Sequence, residues 1–327
     1  MLYIRNNCTD PHFNLAAEEY VLTQFKEEVF MLWRNAPSII IGRFQNTMAE
    51  INADYVKEHN IMVVRRMTGG GAVFHDLGNL NFTFVQNGTE GDFRSFTKPI
   101  LDALCALGVN AEFQGRNDLA INGQKISGNA QCVHNGRMLH HGTLLFSVMM
   151  TNLADALKVN PLKFADKAVK SVRKRVTNIS EHLPQPMTIE AFSDYLMDFV
   201  VRQSDNGCAY EFNTEDLQAI NELKTSKYDT WDWNFGTSPR YTFTNEAKTS
   251  GGHVQVCVNV DKGVIAEVKI FGDFFSRKEI GELEKKLQGV TYRREDVSTC
   301  LQAISVDDYL CNVTSEELTD LICRDVS

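Results

Sequence analysis

The sequence predicts an α+β protein with a large N-terminal region and a small C-terminal one. Patterns typical of helices alternate with short strands, and two strand pairs turn at Asn122-Gly123 and Asn135-Gly136. Asn-Gly is the favoured two-residue turn between antiparallel strands. Because tightly turned strands are interspersed with helices, the pattern favours an α+β sheet over a doubly wound parallel one.

The first 65 residues predict a helix followed by strands. Asn14–Leu22 has apolar residues on one face and early glutamates, and Asp10 or Asn14 is positioned to cap it. Runs of β-branched and aromatic residues then predict strands. The strands predicted in this region are Phe30–Trp33, Ser38–Gly42 and Ile61–Val64, with a short helix at Ala53–His59 before the last of them.

A glycine-rich loop follows, with the sequence Arg65-Arg66-Met67-Thr68-Gly69-Gly70-Gly71-Ala72-Val73-Phe74-His75-Asp76. Glycines lack a Cβ, so a ligand can approach the backbone closely. Backbone N–H groups beside two guanidinium groups suit a phosphate or a carboxylate. A glycine triplet between strands is also typical of a plain turn, and these residues alone leave both interpretations open.

The rest of the chain predicts further helices, a linker and a C-terminal unit. Helices are expected at Phe96–Leu107, Thr188–Gln203 and Asn213–Lys227. Thr244–Gly252 has the composition of a linker. Beyond it, a hairpin and three helical stretches are long enough for a small domain, so the expected domains are residues 1–245 and 250–327.

Two basic features have no specific meaning on their own. Lys125 follows the Asn122-Gly123 turn, where a surface lysine is commonplace. The stretch Lys163–Arg175 is rich in lysine and arginine, and its simplest interpretation is a solvated loop.

The composition excludes several classes of protein. The 327 residues carry 33 basic and 42 acidic side chains, a net charge of −9, which argues against broad binding to nucleic acid or anionic membranes. Eight scattered cysteines without a Cys-x-x-Cys pair are typical of reduced thiols in the cytoplasm. No apolar run approaches the roughly 18–20 residues of a membrane span, and the N-terminus does not resemble a signal peptide.

The combination of motifs is far more specific than any one of them. The glycine loop is followed by Arg116-Asn117-Asp118, by Lys125-Ile126-Ser127-Gly128-Asn129-Ala130 and by His141-Gly142-Thr143. In this order the motifs resemble the lipoate–protein ligase family. The resemblance extends over nearly the whole chain, because the Asn14–Glu19 helix, Gly42–Asn46, Arg175–Ile179 and Trp231–Pro239 also look like landmarks of the family.

The resemblance implies a fold and a reaction. It implies a catalytic domain of the biotin/lipoate-ligase type, with mixed or antiparallel sheets and flanking helices, and a small α+β accessory domain at the C-terminus. It also implies that lipoate and ATP form lipoyl-adenylate and pyrophosphate. The lipoyl group then passes to the ε-amine of an acceptor lysine.

The resemblance also implies roles for individual residues. Lys125 is the expected catalytic residue, which would bridge the lipoate carboxylate and the α-phosphate, and Asn117 and Asp118 would orient it. The expected nucleotide contacts are Arg66, Gly71, Ala72, Val73, Phe74, His75, Asn79 and Lys125. The expected lipoate contacts are Lys125, Gly70, Gly71 and His141. A loop that closes over the adenylate would include Lys170, Arg173 and Arg175.

The implied ligands and partners follow from the same resemblance. ATP and lipoate are the expected substrates, with Mg²⁺ bound through the phosphates, and no metal ligand in the protein is assigned. The expected acceptors are lipoyl domains of 2-oxoacid dehydrogenase E2 subunits, the glycine-cleavage H protein, or both. The protein is expected to be a cytoplasmic monomer that binds neither nucleic acid nor membrane. The sequence does not decide the preferred acceptor, the use of octanoate, or the need for an additional amidotransferase.

Three alternatives make different demands on the sequence. An octanoyl- or lipoyl-transferase of the same fold would need a nucleophilic thiol, and Cys132 is the candidate after Lys125. A biotin ligase should carry a Gly-Arg-Gly-Arg type of loop in place of the glycine triplet. A protein that only binds nucleotides or lipoyl domains would show no lipoate-dependent exchange between ATP and pyrophosphate.

Overall fold

The centre of the protein is an eight-stranded mixed sheet. The computed structural model describes residues 1–149, 176–203, 207–235, 243–261 and 263–323. The strands within them are β1 (Leu2–Asn6), β2 (Val29–Trp33), β3 (Ser38–Ile41), β4 (Met62–Arg65), β5 (Val73–His75), β6 (Asn79–Asn87), β7 (Glu112–Gln114), β8 (Asp118–Ile121), β9 (Gln124–His134), β10 (Arg137–Leu145), β11 (Cys208–Tyr210), β12 (Phe243–Thr249), β13 (Gly252–Asp261) and β14 (Val264–Gly272). The central sheet has the order β11-β1-β2-β6-β10-β9-β8-β7.

Helices flank the sheets on several sides. The described α-helices are α1 (Pro11–Gln24), α2 (Thr47–Glu50), α3 (Ala53–Glu58), α4 (Phe93–Ala106), α5 (Ile189–Arg202), α6 (Thr214–Leu223), α7 (Trp231–Asn234), α8 (Ile280–Leu287), α9 (Arg294–Gln302), α10 (Val306–Tyr309) and α11 (Ser315–Ile322). The predicted α+β class, with mixed and antiparallel sheets and flanking helices, is confirmed.

The two faces of the central sheet are covered differently, as strand β6 demonstrates. Leu80, Phe82 and Phe84 pack into one core with residues of α4 and α5. Val85 belongs to a second core on the opposite face, together with residues of α1. Successive side chains on a strand point to opposite faces, so Asn81 and Thr83 lie on the same face as Val85. This second face carries the candidate site.

A small three-stranded sheet covers part of that second face. Its order is β4-β3-β5, with β3 and β4 parallel and β3 and β5 antiparallel. Ile40 on β3 and Val64 on β4 pack into the same core as α1. The glycine loop connects β4 to β5, so this sheet fixes both of its ends.

The two predicted Asn-Gly turns are confirmed. Asn122 and Gly123 have φ angles of 51° and 76°, and Asn135 and Gly136 have 47° and 76°. Both central residues of a type I′ turn require positive φ, which asparagine and glycine tolerate best. Each turn joins antiparallel strands, β8 to β9 and β9 to β10.

Several predicted helix boundaries shift by a few residues. Helix α4 begins at Phe93 rather than Phe96, because the Asp92 side chain accepts the N–H of Ser95 and caps an earlier turn. The long helix expected to end at Lys227 divides into α6 and a π-helical turn, Lys224–Tyr228.

The prediction of a linker at Thr244–Gly252 is wrong. Residues Phe243–Thr249 form strand β12, which pairs antiparallel with β13. Thr244 and Lys248 are exposed and the other residues of β12 are partly buried, so that the strand keeps the polar composition that suggested a linker. Strands β12–β14 and helices α8–α11 share a separate apolar core.

Candidate active site

A cavity of about 160 Å³ lies between the central sheet and the glycine loop. Many of the site residues predicted from the sequence line it, namely Arg66, Gly70, Gly71, Ala72, Val73, His75, Asn117, Lys125 and His141. Further lining residues come from α1, β2, β3, β6 and β10: Leu15, Trp33, Ile40, Asn81 and Thr143.

Lys125 reaches the cavity because of a β-bulge. Ser127 pairs with Leu119, but Lys125 pairs with Ala120, so Ile126 is an extra residue in β9. Residues two apart on a regular strand share a face, and the extra residue moves Lys125 to the face opposite Ser127. Ser127 is fully buried, whereas the Lys125 side chain is 38% exposed. Without the bulge, the ammonium would point toward the core.

The Lys125 ammonium is held over Gly128. A Cβ atom at Gly128 would lie 2.9 Å from Nζ, so glycine provides the space for the lysine side chain. Nζ is 2.8 Å from Oδ1 of Asp118, one of the two residues expected to orient the lysine. Asn117, just before β8, exchanges hydrogen bonds with Asn129 on β9.

The two arginines of the glycine loop, which the sequence suggested as part of an anion site, are both buried. Arg66 donates hydrogen bonds to the carbonyl oxygens of Ile40, Gly69 and Gly71 and to Thr68 Oγ1. Arg65 donates to several backbone carbonyls, including Gly42 O at 2.9 Å. Burial lowers the pKa of both guanidinium groups to about 10, so both stay charged at neutral pH. In this structure the two buried arginines stabilise the conformation of the loop and its surroundings by binding backbone carbonyl oxygens.

A chain of buried hydrogen bonds connects the loop to helix α1. The Glu18 carboxylate lies 2.9 Å from His141 Nδ1, and His141 Nε2 lies 2.8 Å from Thr68 Oγ1. An ionised carboxylate can only accept, so Nδ1 carries a proton and donates it to Glu18, while the Thr68 hydroxyl lies within hydrogen-bonding distance of Nε2. Thr68 Oγ1 also accepts the Nε–H of Arg66 at 2.9 Å. The chain thus joins a buried cation, Arg66, to a buried anion, Glu18.

His75 is buried in the wall of the cavity and is neutral. Burial, with smaller contributions from Arg66 and His141, lowers its pKa to about 3. Nδ1 lies 3.0 Å from Asn35 Nδ2, which can only donate, so Nε2 carries the proton and donates to Thr143 Oγ1 at 3.0 Å.

Two residues predicted to contact the nucleotide do not line the cavity with their side chains. The Phe74 side chain is buried in the core of the small sheet, beside Ile39 and Ile41. Asn79 is fully buried, and its Oδ1 accepts the backbone N–H of Asp76 at 2.7 Å. The predicted loop residues Lys170, Arg173 and Arg175 lie outside the described residues.

The sequence analysis missed Glu18, Trp33, Asn81 and Thr143. One signal could have identified Glu18. It lies three residues after Leu15 and four before Leu22, on the apolar face of α1, and a carboxylate on such a face needs a buried partner. The other three are brought together by pairing between strands that are distant in sequence, which no local pattern reveals.

The thiol of Cys132 is poorly suited to nucleophilic chemistry. Burial, together with Glu18 and Glu19, raises its pKa to about 12. Cys132 lies on β9 four residues beyond Gly128, about 13 Å along the strand from the lysine site. A thiol with this pKa is protonated at neutral pH, and the thiolate is the reactive form.

Neither a metal cluster nor a membrane span is found in the part of the chain that the structure describes. Among these residues, no three His, Cys, Asp or Glu side chains are grouped so that they could hold a metal ion. None of the helices there is both long and apolar enough to cross a membrane.

Two family descriptions match the chain. Residues 10–200 match the Lipoyl protein ligase A/B catalytic domain, and residues 238–322 match the Bacterial lipoate protein ligase C-terminus. The chain is 42% identical, over an alignment 331 positions long, to lipoate-protein ligase LplJ of Bacillus subtilis, covering 98% of this chain and 100% of that protein. It is 43% identical over 322 residues to lipoate–protein ligase 1 of Staphylococcus aureus, covering 97% and 98%.

Solved structures share the fold, one of them over nearly the whole chain. The crystal structure of P. falciparum LipL1 in complex with lipoate has a TM-score of 0.78 and 29% identity, covering 99% of this chain and 98% of that one. Lipoate-protein ligase A bound with ATP has a TM-score of 0.61 and 27% identity, covering 72% and 98%. A bi-partite lipoate protein ligase with its E2 lipoyl domain, from Thermoplasma acidophilum, has a TM-score of 0.64 and 30% identity, covering 74% and 98%. The chain belongs to the lipoate–protein ligase family.

Proposed function

We propose that this chain is an ATP-dependent ligase that salvages free lipoate. It activates lipoate to lipoyl-AMP and transfers the lipoyl group to a lysine of an acceptor protein. The observation that carries the proposal is the Lys125 ammonium, which a β-bulge places at one end of a cavity beside the glycine loop. The relatives' names and the lipoate and ATP in two similar structures support the choice of substrates.

In the first step, a carboxylate oxygen of lipoate attacks the α-phosphorus of ATP. The bond from this phosphorus to the bridging oxygen of the β-phosphate breaks, and pyrophosphate leaves with the electron pair. Two anions must approach each other, so a fixed positive charge between them lowers the barrier. Lys125 supplies that charge, and Asp118 at 2.8 Å holds the ammonium in place.

In the second step, the neutral ε-amine of the acceptor lysine attacks the carbonyl carbon of lipoyl-AMP. An amide bond forms, the carbon–oxygen bond to AMP breaks, and the amine proton leaves to solvent. Lys125 stabilises the charge that develops on oxygen here as well. The mixed anhydride must be protected from water, and the stretch with Lys170, Arg173 and Arg175 is proposed to cover it.

The remaining predicted contacts stay part of the proposal. Nucleotide contacts are assigned to Arg66, Gly71, Ala72, Val73, Phe74, His75 and Asn79, and lipoate contacts to Gly70, Gly71 and His141. Phe74 and Asn79 would act through the backbone or by shaping the loop, since their side chains point elsewhere. Arg66 would act mainly by holding the loop carbonyls and adding positive charge behind the loop.

Magnesium is proposed to enter with the phosphates of ATP. Such a role needs only one or two carboxylates and the phosphate oxygens. No group of metal-ligating side chains among the described residues offers a site independent of the substrate.

The proposed acceptors are lipoyl domains of 2-oxoacid dehydrogenase E2 subunits, the glycine-cleavage H protein, or both. One of the similar structures includes an E2 lipoyl domain, which supports the first choice. We propose that the protein works as a monomer in the cytoplasm, where its eight free cysteines would stay reduced. We also propose two domains, with the boundary before Phe243, because β12 belongs to the C-terminal sheet.

The test is to incubate the protein with ATP, lipoate and each acceptor domain and to read the product by intact mass. Lipoylation that requires both ATP and lipoate is the expected result. The competing hypothesis is a transferase that works through a thioester on Cys132. Trapping of an acyl group on this cysteine, and loss of transfer in Cys132→Ser, would support the transferase instead.

A further inference from the structure

One row of residues forms the floor of the cavity. Trp33 pairs with Asn81, Asn81 with Thr143, and Thr143 with Gly128, across the neighbouring strands β2, β6, β10 and β9. Paired residues of antiparallel strands point to the same face. The row therefore runs from the Lys125 ammonium, which lies over Gly128, to the indole of Trp33.

Asn81 is the unusual member of this row. Its side chain is 1% exposed and lines the cavity, yet neither Nδ2 nor Oδ1 has a hydrogen-bond partner among the described residues. Its neighbours in the row are engaged: Trp33 Nε1 donates to Thr83 Oγ1, and Thr143 Oγ1 lies 3.0 Å from His75 Nε2. A buried amide without a partner destabilises the protein unless a bound molecule satisfies it.

Part of the cavity lining is apolar. Leu15 of α1, Ile40 of β3 and Val73 of β5 line the same cavity. An apolar pocket with a few placed polar groups is the usual form of a small-molecule site, and the polar groups determine which ligand is accepted. A ligand with only a hydrocarbon tail would form no hydrogen bond with the Asn81 amide.

The position of Asn81 fits the far end of lipoate. Asn81 is two strands away from Gly128, or about 10 Å at the usual spacing between strands. With its carboxylate at Lys125, an extended lipoate chain would cross this distance and would bring the dithiolane ring close to the amide. Sulfur is a weak hydrogen-bond acceptor, whereas the corresponding part of octanoate offers no acceptor.

We propose that Asn81 determines acyl specificity by donating its Nδ2–H to a sulfur of the dithiolane ring, so that the site favours lipoate over octanoate. The inference rests on the proposed function, because it takes lipoate as the acid that Lys125 activates. Octanoate would bind with the buried Asn81 amide left unpaired. A site built around a polar group discriminates against a ligand that cannot pair with it.

The test compares Asn81→Leu with the unchanged protein in ATP–pyrophosphate exchange, using lipoate and octanoate in parallel. Leucine is similar in size and has no polar atom. We expect kcat/KM for lipoate to fall about tenfold, mainly through KM, while octanoate is used at least as well as before. The control is Leu80→Met, on the same strand but in the opposite core, which should leave the ratio of the two acids unchanged.

An unchanged ratio in Asn81→Leu, or equal losses with both acids in a folded variant, would overturn the proposal. If Asn81→Leu does not fold, judged by circular dichroism, Asn81→Ala is measured instead, and an unchanged ratio there overturns it as well. Failure of the unchanged protein to catalyse lipoate-dependent exchange would refute the proposed function itself, so the two failures are distinguishable.

Discussion

At the residue scale, Lys125 is positioned for chemistry rather than for stability. Its side chain is 38% exposed, and its ion pair with Asp118 is also partly exposed. Partly exposed ion pairs contribute little to folding, so Lys125→Ala should change the free energy of unfolding by less than about 1 kcal/mol. We expect lipoate-dependent ATP–pyrophosphate exchange to fall at least about 100-fold, because the charge between the two anions is lost.

The matched control for that variant is Lys98→Ala. Lys98 is also an exposed lysine paired with a carboxylate, Asp102, but it lies on α4 and does not line the cavity. Urea unfolding and the exchange assay should show both variants folded and only the Lys125 variant inactive. Exchange at the normal rate in Lys125→Ala would refute its catalytic role.

His75 should contribute to the acid sensitivity of the protein. Its pKa is about 3 in the folded protein, because of burial, against 6.5 for an unperturbed histidine. Between pH 6.5 and pH 3, unfolding is therefore accompanied by the uptake of a proton by His75. The contribution of His75 to the free energy of unfolding is complete above pH 6.5 and declines as the pH falls toward 3. The His75→Asn variant should lose less stability than the unchanged protein between pH 6.5 and pH 4 in thermal unfolding. Identical pH profiles for the two proteins would contradict this assignment.

At the scale of elements, the glycine loop is fixed by α1 and β10 through Thr68. The Thr68 hydroxyl contacts both His141 Nε2 and Arg66 Nε inside the protein. Thr68→Val keeps the shape but leaves both nitrogens without this partner, so we expect the free energy of unfolding to fall by about 1–3 kcal/mol. Thr68→Ser keeps the hydroxyl and is the control. Equal stability of the valine and serine variants, measured by urea unfolding, would show that the hydroxyl does not connect these elements.

Some of these structural elements could be predicted from the sequence, and others could not. The hairpins at Asn122-Gly123 and Asn135-Gly136 were predictable because the turn residues themselves require that geometry. The bulge at Ile126 was not, because the register of β9 against β8 depends on which side chains the folded core accepts. Motifs therefore identified Lys125 and the glycine loop, but only the pairing of distant strands placed Asn81 beneath them.

At the scale of the whole molecule, the C-terminal unit packs directly on the glycine loop. Phe274 stacks on Phe44 with ring centroids 4.9 Å apart, and its carbonyl accepts the N–H of Gly70. Gly272 N–H donates to Phe44 O at 2.8 Å. Through these contacts the C-terminal unit, which begins at Phe243, packs against the glycine loop that lines the cavity.

Gly69 is the residue where this packing leaves the least room. A Cβ atom at Gly69 would lie 2.3 Å from the carbonyl oxygen of Phe274, a backbone atom that cannot move alone. Gly69→Ala should therefore force the C-terminal unit away from the loop and lower the free energy of unfolding by about 1–3 kcal/mol. Gly71→Ala is the matched control for stability, because its nearest neighbour would be 3.9 Å away. Hydrogen exchange should accelerate at Gly70 and at residues 272–275 only in the Gly69 variant, and equal protection in both variants would show that the contact does not join the two units.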